Sequence, residues 1–270
     1  MTKTVLTIAG YDPSSGAGVT ADLMVFAAHG LFGTSCITAL TVQSTLKVQS
    51  SHPVSPDIVR QTLDCLESDL PPAGIKLGML ASAPIVEAVA DYLATVRRRH
   101  PRIPVVLDPV LRSTSGRELL SHEGLGILTE RLLPLVDWIT PNLSELGLLS
   151  SNSVAQREDL LPAARALHHL HPGLTVLATG GHLNPPDDLL LSATGEATWL
   201  PGKHIATKAT HGTGCTLSSA ILSRLVLGDE PRPAAEAAKR YVTEALRTAS
   251  PVGHGHGPLH HLWPLRSSER

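Results

Sequence analysis

Short apolar runs recur along this chain, and almost every one stops at a glycine or a polar residue before a helical stretch begins. Thr4-Val-Leu-Thr-Ile-Ala9 ends at Gly10, and the run through Cys36-Ile-Thr-Ala-Leu-Thr41 ends at Gln43. Ala73-Gly-Ile-Lys-Leu77 meets Gly78, Ile103-Pro-Val-Val-Leu107 meets Asp108, Val136 to Thr140 leads to Asn142, and Leu174 to Thr179 leads to Gly180. Between them, Val19–His29, Pro56–Leu70, Ala83–Arg99 and Pro233–Ala249 carry apolar residues at helical spacing. Strands that alternate with helices form a mainly parallel sheet covered by helices on both faces, an α/β fold. In such a sheet the polar and glycine-rich strand ends gather along one edge, where clefts form. Asp188–Ser192 and Ala197–Leu200, joined across Thr194-Gly195, predict a small hairpin at one edge. Gln43 to Gln49 reads as a polar, extended exit from the second strand. No repeat or linker divides residues 1–270, which read as a single domain.

Composition narrows the function. Lys plus Arg number 22 and Asp plus Glu 24, so neither nucleic acid nor an anionic membrane is an expected partner. Aromatics at 3% also leave no stacking platform for single-stranded nucleic acid. The three cysteines, Cys36, Cys65 and Cys215, are widely spaced, as suits a reducing cytoplasm. The first ten residues are too short for a signal peptide, and no apolar run is long enough to span a bilayer. The expected location is therefore the cytoplasm. His254, His256, His260 and His261 cluster in a tail that reads as a polar segment, and Arg97, Arg98 and Arg99 as the solvated end of a helix.

Thr207 to Leu222 holds the most suggestive chemistry. Gly212 and Gly214 precede Leu217, Ala220, Ile221 and Leu225, which share one helix face. The glycines thus deliver the chain into a helix N-terminus, whose free N–H groups and dipole attract anions. Cys215 sits at that mouth, where a thiol is normally acidified. Taken alone, Gly-x-Gly before a helix is equally a tight turn, and the cysteine an inert one. Asp22, in the first turns of an early helix, is either a dipole-favoured carboxylate or a ligand.

A set of motifs in order settles more. Ala9-Gly-Tyr-Asp-Pro-Ser-Ser-Gly-Ala-Gly-Val-Thr-Ala-Asp22, Ile37-Thr-Ala-Leu-Thr-Val-Gln43, Ile75-Lys-Leu-Gly-Met-Leu80 and Val106-Leu-Asp-Pro-Val110 come first. Thr140-Pro-Asn-Leu-Ser-Glu145, Gly180-Gly-His182, His211-Gly-Thr-Gly-Cys-Thr216 and Gly253-His-Gly-His-Gly-Pro258 follow. Together they resemble the hydroxymethylpyrimidine/phosphomethylpyrimidine kinases of thiamine biosynthesis, within the ribokinase-like superfamily.

That resemblance implies a ribokinase-like fold, ATP as co-substrate, Mg²⁺, and a hydroxymethylpyrimidine that is phosphorylated twice. It implies that Asp22 and Gln43 hydrogen-bond the aminopyrimidine, with Ala17 and Met79 packing on the ring. Gly212, Thr213, Gly214 and Cys215 form the anion hole, with Cys215 as base. Asn142 and Glu145 help to hold the metal. Asp108, Thr179, Gly180 and Gly181 lie by the nucleotide phosphates. A homodimer is also implied. The sequence departs from the family at Thr179, where a lysine is common, at Thr20, and at Thr114 beside Ser115-Gly116. Lys76, Lys203 and Lys208 are the remaining cations to watch and read as solvated. Two other functions fit the residues: a pyridoxal or pyridoxine kinase of the same fold, and a ligand-sensing relative that has lost activity.

Overall fold

The computed structural model describes residues 2–112, 116 and 118–268, so Thr114 and Ser115 lie outside the described residues. The strands are β1 (Thr4–Tyr11), β2 (Phe32–Gln43), β3 (Val48–Pro53), β4 (Ile75–Leu77), β5 (Val105–Leu107), β6 (Trp138–Ile139), β7 (Thr175–Ala178), β8 (Asp188–Leu191) and β9 (Ala197–Leu200). The helices are α1 (Gly18–Ala28), α2 (Pro56–Asp69), α3 (Ala83–Arg99), α4 (His122–Ile127), α5 (Leu143–Ser150), α6 (Arg157–Leu170), α7 (Thr213–Leu227) and α8 (Pro231–Arg247). The strands form one sheet in the order β3-β2-β1-β4-β5-β6-β7-β8-β9. Neighbours from β2 across to β7 are parallel. Antiparallel strands close both edges: β3 on one side and the β8–β9 hairpin on the other.

Side-chain alternation divides the core into two layers. Leu6, Ile8, Ile75, Leu77, Val105 and Leu107 face one way, onto Val59 and Leu63 of α2, α3, and Leu160 and Leu167 of α6. Val5, Val106, Trp138 and Leu177 face the other way, onto Val25 and Phe26 of α1, Ala220 and Ile221 of α7, and Ala235 and Ala238 of α8. This is the doubly covered sheet that the strand–helix alternation predicts, with the β8–β9 hairpin where the sequence puts it.

Three readings need correction. The polar exit after Gln43 turns back as β3, pairing Leu40 with His52 and Val42 with Ser50. Its composition hid it, because an exposed edge strand needs no apolar face. Arg97 is no solvated terminus. Its guanidinium donates to the carbonyls of Leu135 at 2.8 Å and Ile103 at 2.8 Å and to Asp137 Oδ2 at 2.6 Å, tying α3 to the strand entries. The tail is not uniformly polar either. His254 and His256 are exposed, but His261 is 3% exposed and Tyr241 donates a hydrogen bond to its carbonyl.

Burial is the main cause that pushes His261 down to about 4 from its ordinary value of 6.5. Between those values the unfolded chain binds a proton that the folded chain refuses. The contribution of neutral His261 is therefore intact above the unfolded value and is lost as pH falls through this window. Urea unfolding at neutral pH and near pH 4.5 should show a wild-type loss larger than that of His261→Gln by about 1–3 kcal/mol. Equal losses in the two proteins would contradict this assignment.

Candidate active site

The site begins below its own floor. Thr7 of β1 is in register with Lys76 of β4, and Lys76 with Val106 of β5, so their side chains share the face that α1 and α7 cover. On that face, Lys76 Nζ donates to both oxygens of Asp22 at 3.0 and 2.9 Å. Thr7 Oγ1 donates to Asp22 Oδ2 at 2.6 Å, and Ser219 Oγ of α7 to Oδ1 at 2.7 Å. Lys76 and Asp22 are both fully buried. Burial alone would strip the lysine's proton, but Asp22, then Cys215 and Asp108, raise its pKa, so it stays charged. Two expectations change here. Asp22, expected on the aminopyrimidine, is saturated by four hydrogen bonds from three groups inside the protein. Lys76, expected in solvent, is its counter-ion.

One step further along α7 is the anion hole. Gly212 is the N-cap at φ +91°, a conformation that favours glycine, and a Cβ there would collide with the Gly16 carbonyl. No side chain caps this helix, so its first N–H groups remain open. A Cβ on Gly214 would lie 3.5 Å from Asp108 Oδ2, which sets the end of β5 against the first turn of α7. Asp108 also accepts from Ser218 Oγ at 3.5 Å, and Cys215 is close enough to favour its ionised form. Burial raises the Asp108 carboxyl above its ordinary value, against the pull of Lys76. Cys215 is not acidified as the helix position suggests. Burial pushes its thiol up to about 12, with Asp108 and Asp22 adding to that and Lys76 opposing it.

Toward β1 and β2 the wall is built by Asp12. Its Oδ1 accepts from Ser14 N at 2.8 Å, a turn that Asp-Pro-Ser favours, and its Oδ2 accepts from Ala17 N at 3.0 Å. His211 Nε2 lies 2.7 Å from the same Oδ2 and 2.9 Å from Gln43 Nε2. Burial opposes ionisation of Asp12, but the bonds from His211 and Ser14 prevail and hold its pKa below the usual value. The ionised carboxylate only accepts and the Gln43 amide N–H only donates, so the two compete for the same ring nitrogen of His211. Ala17 is the extended N-cap of α1. Met79 is 9% exposed and packs with Ala39 and Leu119, its sulfur 3.2 Å from where a Cβ of Gly10 would stand. Asp12 and His211 thus link Ala17 to Gln43, while Met79 lies beside Gly10 at the end of β1.

At the other end, Asn142 and Glu145 form a capping box on α5. Asn142 Oδ1 accepts from Glu145 N at 3.0 Å, and Glu145 Oε2 from Asn142 N at 2.9 Å. Burial, and then Asp108, pushes Glu145 up to about 8. Thr179 follows β7, bridged to Asn142, with its N–H on the Pro141 carbonyl at 2.9 Å. Gly180 is structural: its N–H donates to Asp188 Oδ1 at 2.8 Å, and a Cβ would strike the Asp187 carbonyl. Gly181 is exposed with open space around it, so it is the glycine of this pair free to meet a ligand. Lys203 and Lys208 are exposed, as expected.

The sequence-predicted residues therefore gather along the edge where the parallel strands end, except that Asp22 lies beneath it. Sequence reasoning assigned no role to Asp12, His211, Ser218 or Ser219. Asp12 and His211 both sit inside quoted motifs, which was the available signal. The serines carry only a weaker one, polar residues on the inner face of an otherwise apolar helix.

Comparison with known proteins bears on the family and the fold. The family model described as phosphomethylpyrimidine kinase matches residues 12–260. A thiamine biosynthesis bifunctional protein of Geobacter sulfurreducens is 42% identical over 259 residues, which are 96% of this chain but 52% of that protein. A hydroxymethylpyrimidine/phosphomethylpyrimidine kinase of Escherichia coli is 43% identical over 262 residues, or 95% of this chain and 96% of that one. The solved ADP complex of Bacillus subtilis pyridoxal kinase has a TM-score of 0.86 at 31% identity, over 99% of this chain and 100% of that one. The fold is ribokinase-like.

The Asp12–His211 contact joins residues far apart in sequence, so its loss should be coupled. Asp12→Ala and His211→Ala should each cost about 1–3 kcal/mol in urea unfolding, and the double variant less than their sum by about 1 kcal/mol. Strict additivity would show that the two side chains do not act as a pair.

Proposed function

The chain belongs to the phosphomethylpyrimidine kinase family, and from that and its cleft we propose that it transfers a phosphoryl group from ATP to hydroxymethylpyrimidine and then to the resulting monophosphate. The carrying observation is that Gln43 stands 2.9 Å from His211, the residue next to the uncapped helix N-terminus at Gly212 to Cys215. An aminopyrimidine offers ring nitrogens and an amino group, and the Gln43 amide both donates and accepts. Met79 and Ala17 supply apolar surface for its faces. The hydroxymethyl group then points toward Cys215 and the open N–H groups. Nucleotide phosphates extend toward Asp108, Thr179 and Gly181.

In the first step the substrate oxygen attacks the γ-phosphorus, the bond to the β-phosphate oxygen breaks, and ADP leaves with that electron pair. The hydroxyl proton goes to Cys215 Sγ while the thiol proton passes to the neighbouring Asp108 carboxylate. This route accommodates a thiol pushed up to about 12, because the thiol never has to exist as a free thiolate. A carboxylate raised by burial is also a better proton acceptor. In the second step the acceptor is already anionic. It needs relief from charge repulsion more than a base, and the α7 amides supply that.

Mg²⁺ fits the donor set. Asp108 and Glu145 are two buried acids that disfavour each other's charge, and oxygen ligands suit this ion. Among the described residues no cluster of three or more His, Cys, Asp or Glu could hold a metal, so Glu145 and Asn142 would share it with waters and substrate phosphates. Bound there, Mg²⁺ would neutralise phosphate charge.

We also read the protein as a cytoplasmic homodimer. The exposed aliphatics Leu40, Val42 and Leu46 on the β2–β3 hairpin support a partner, and the free cysteines a reducing compartment. Among the described residues no helix is long and apolar enough to cross a membrane.

An ATP-consumption assay tests the activity with the alcohol, its monophosphate and pyridoxal. Turnover of the first two is expected, and consumption with pyridoxal alone would make this a pyridoxal kinase. Cys215→Ala should slow the alcohol step by about 10²–10⁴-fold and the monophosphate step by less. Equal losses in the two steps would remove the differential role of Cys215.

A further inference from the structure

One ring nitrogen of His211 has two neighbours that ask for opposite things. Nε2 stands 2.7 Å from Asp12 Oδ2 and 2.9 Å from one end of the Gln43 amide. An imidazole nitrogen carries a proton or a lone pair in the ring plane, never both. Asp12 decides between them. It already accepts from Ser14 N at 2.8 Å, Ser14 Oγ at 2.7 Å and Ala17 N at 3.0 Å, and such donors hold a carboxyl ionised. Nε2 therefore carries the proton, and the end of Gln43 that faces it has to accept. The other end of the amide gives the same answer. It lies 3.3 Å from Thr41 Oγ1, whose one proton goes to the Tyr11 carbonyl at 2.9 Å, so Thr41 can only accept from Gln43. A glutamine amide has the same outline either way round, and its hydrogen bonds decide which end is oxygen. Both neighbours put Oε1 at His211 and Nε2 at Thr41. The histidine itself is held in place. Its N–H donates to the Gly257 carbonyl at 3.1 Å, and its ring packs so closely on Gly16 that a Cβ there would collide with it.

We propose that His211 is a positioning residue for the acceptor: its Nε2–H fixes the polarity of the Gln43 amide, and that polarity selects which way round an aminopyrimidine binds. The proposal rests on the kinase reading for the identity of the ligand. On a ring whose amino and hydroxymethyl groups are neighbours, the amino group and the ring nitrogen on its other side form a donor–acceptor edge. That edge matches an amide, the amino group donating to Oε1 and the ring nitrogen accepting from Nε2. The hydroxymethyl group lies beyond the amino group, and so on the Oε1 side. With Oε1 at His211, that is the side of Gly212 and the open start of α7. With the amide reversed, the same two hydrogen bonds would turn the hydroxymethyl group toward Thr41 and away from α7. His211 thus separates productive from unproductive binding without touching the ring.

Nuclear magnetic resonance of the isotope-labelled full chain tests both halves. In the ligand-free protein, His211 Nε2 should be the protonated ring nitrogen. The Gln43 side-chain amide protons should show cross-relaxation with the Thr41 methyl group and not with the His211 ring. With the unphosphorylated pyrimidine bound, its hydroxymethyl protons should show cross-relaxation with the Gly212 α-protons and not with Thr41. His211→Phe keeps a ring and removes the donor, so a second ring orientation should appear. Its turnover of the alcohol at saturation should fall about twofold to tenfold, the worth of one hydrogen bond, while affinity holds because both orientations make the same two bonds. His211→Gln, whose amide can put an N–H where Nε2 stood, should restore the single orientation. An unprotonated Nε2, or Gln43 amide protons against the His211 ring, would overturn the proposal. So would mixed ring orientations in the wild type, or a single one that persists in His211→Phe. His211→Gln no better than His211→Phe would make the effect one of packing and remove the positioning role. If His211→Phe does not fold, the wild-type contacts and His211→Gln carry the test. If the pyrimidine does not bind, the kinase reading fails, while the ligand-free readouts still decide the polarity of the amide.

Discussion

The ion pair between Asp22 and Lys76 is the interaction on which the site depends. Its hydrogen bonds draw together α1 through Asp22, β4 through Lys76, β1 through Thr7 and α7 through Ser219. Removing one partner from a buried pair typically costs about 3–5 kcal/mol, because the survivor is left charged and dry. That penalty fixes how far α7 stands from the sheet. Everything at the cleft inherits the setting: Gly212 against Gly16, Gly214 over Asp108, and His211 between Asp12 and Gln43. The pair is buried structure that places binding groups rather than binding anything itself.

Burial then decides the chemistry. A helix N-terminus acidifies a thiol when solvent or a cation can share the charge. Here Asp108 and Asp22 face Cys215 from a dry interior, and Lys76 offsets them only partly. The result is a thiol that keeps its proton at rest. The same dry surroundings make Glu145 reluctant to ionise beside Asp108. Glu145 and Cys215 therefore rest uncharged, which suits a reaction that must keep water from the phosphoryl group.

Much of this was legible in the chain. The strands and α3 follow from periodicity and from the residues that end each run, and α3 begins and ends where the pattern does. The strand-end rule pointed to Gln43, Gly78, Asp108, Asn142 and Gly180, the glycines before a helix pointed to Gly212 to Cys215, and only the family resemblance pointed to Met79. Other features escaped for physical reasons. Pro162 inside α6 interrupts a run that is otherwise amphipathic. Lys76 stands alone in a three-residue strand, and nothing local says that both faces of that strand are buried. Asp22 looked like a ligand because a carboxylate near a helix start is free until its long-range partner is known. Asp12 and His211 are 199 positions apart, and only the fold brings them within 2.7 Å. Local pattern carries the elements, while charge pairing across layers is a property of the assembled sheet.

The central claim is that the N-terminus of α7, seated on this buried pair, is where phosphate is held. The most direct measurement is the amide nuclear magnetic resonance spectrum during titration with hydroxymethylpyrimidine monophosphate and, separately, with the alcohol. The account predicts that the N–H signals of Thr213, Gly214 and Cys215 shift markedly with the monophosphate and little with the alcohol, while the Gln43 side-chain amide shifts with both. Signals of the α7 turn that stay fixed as the monophosphate saturates the protein would contradict it.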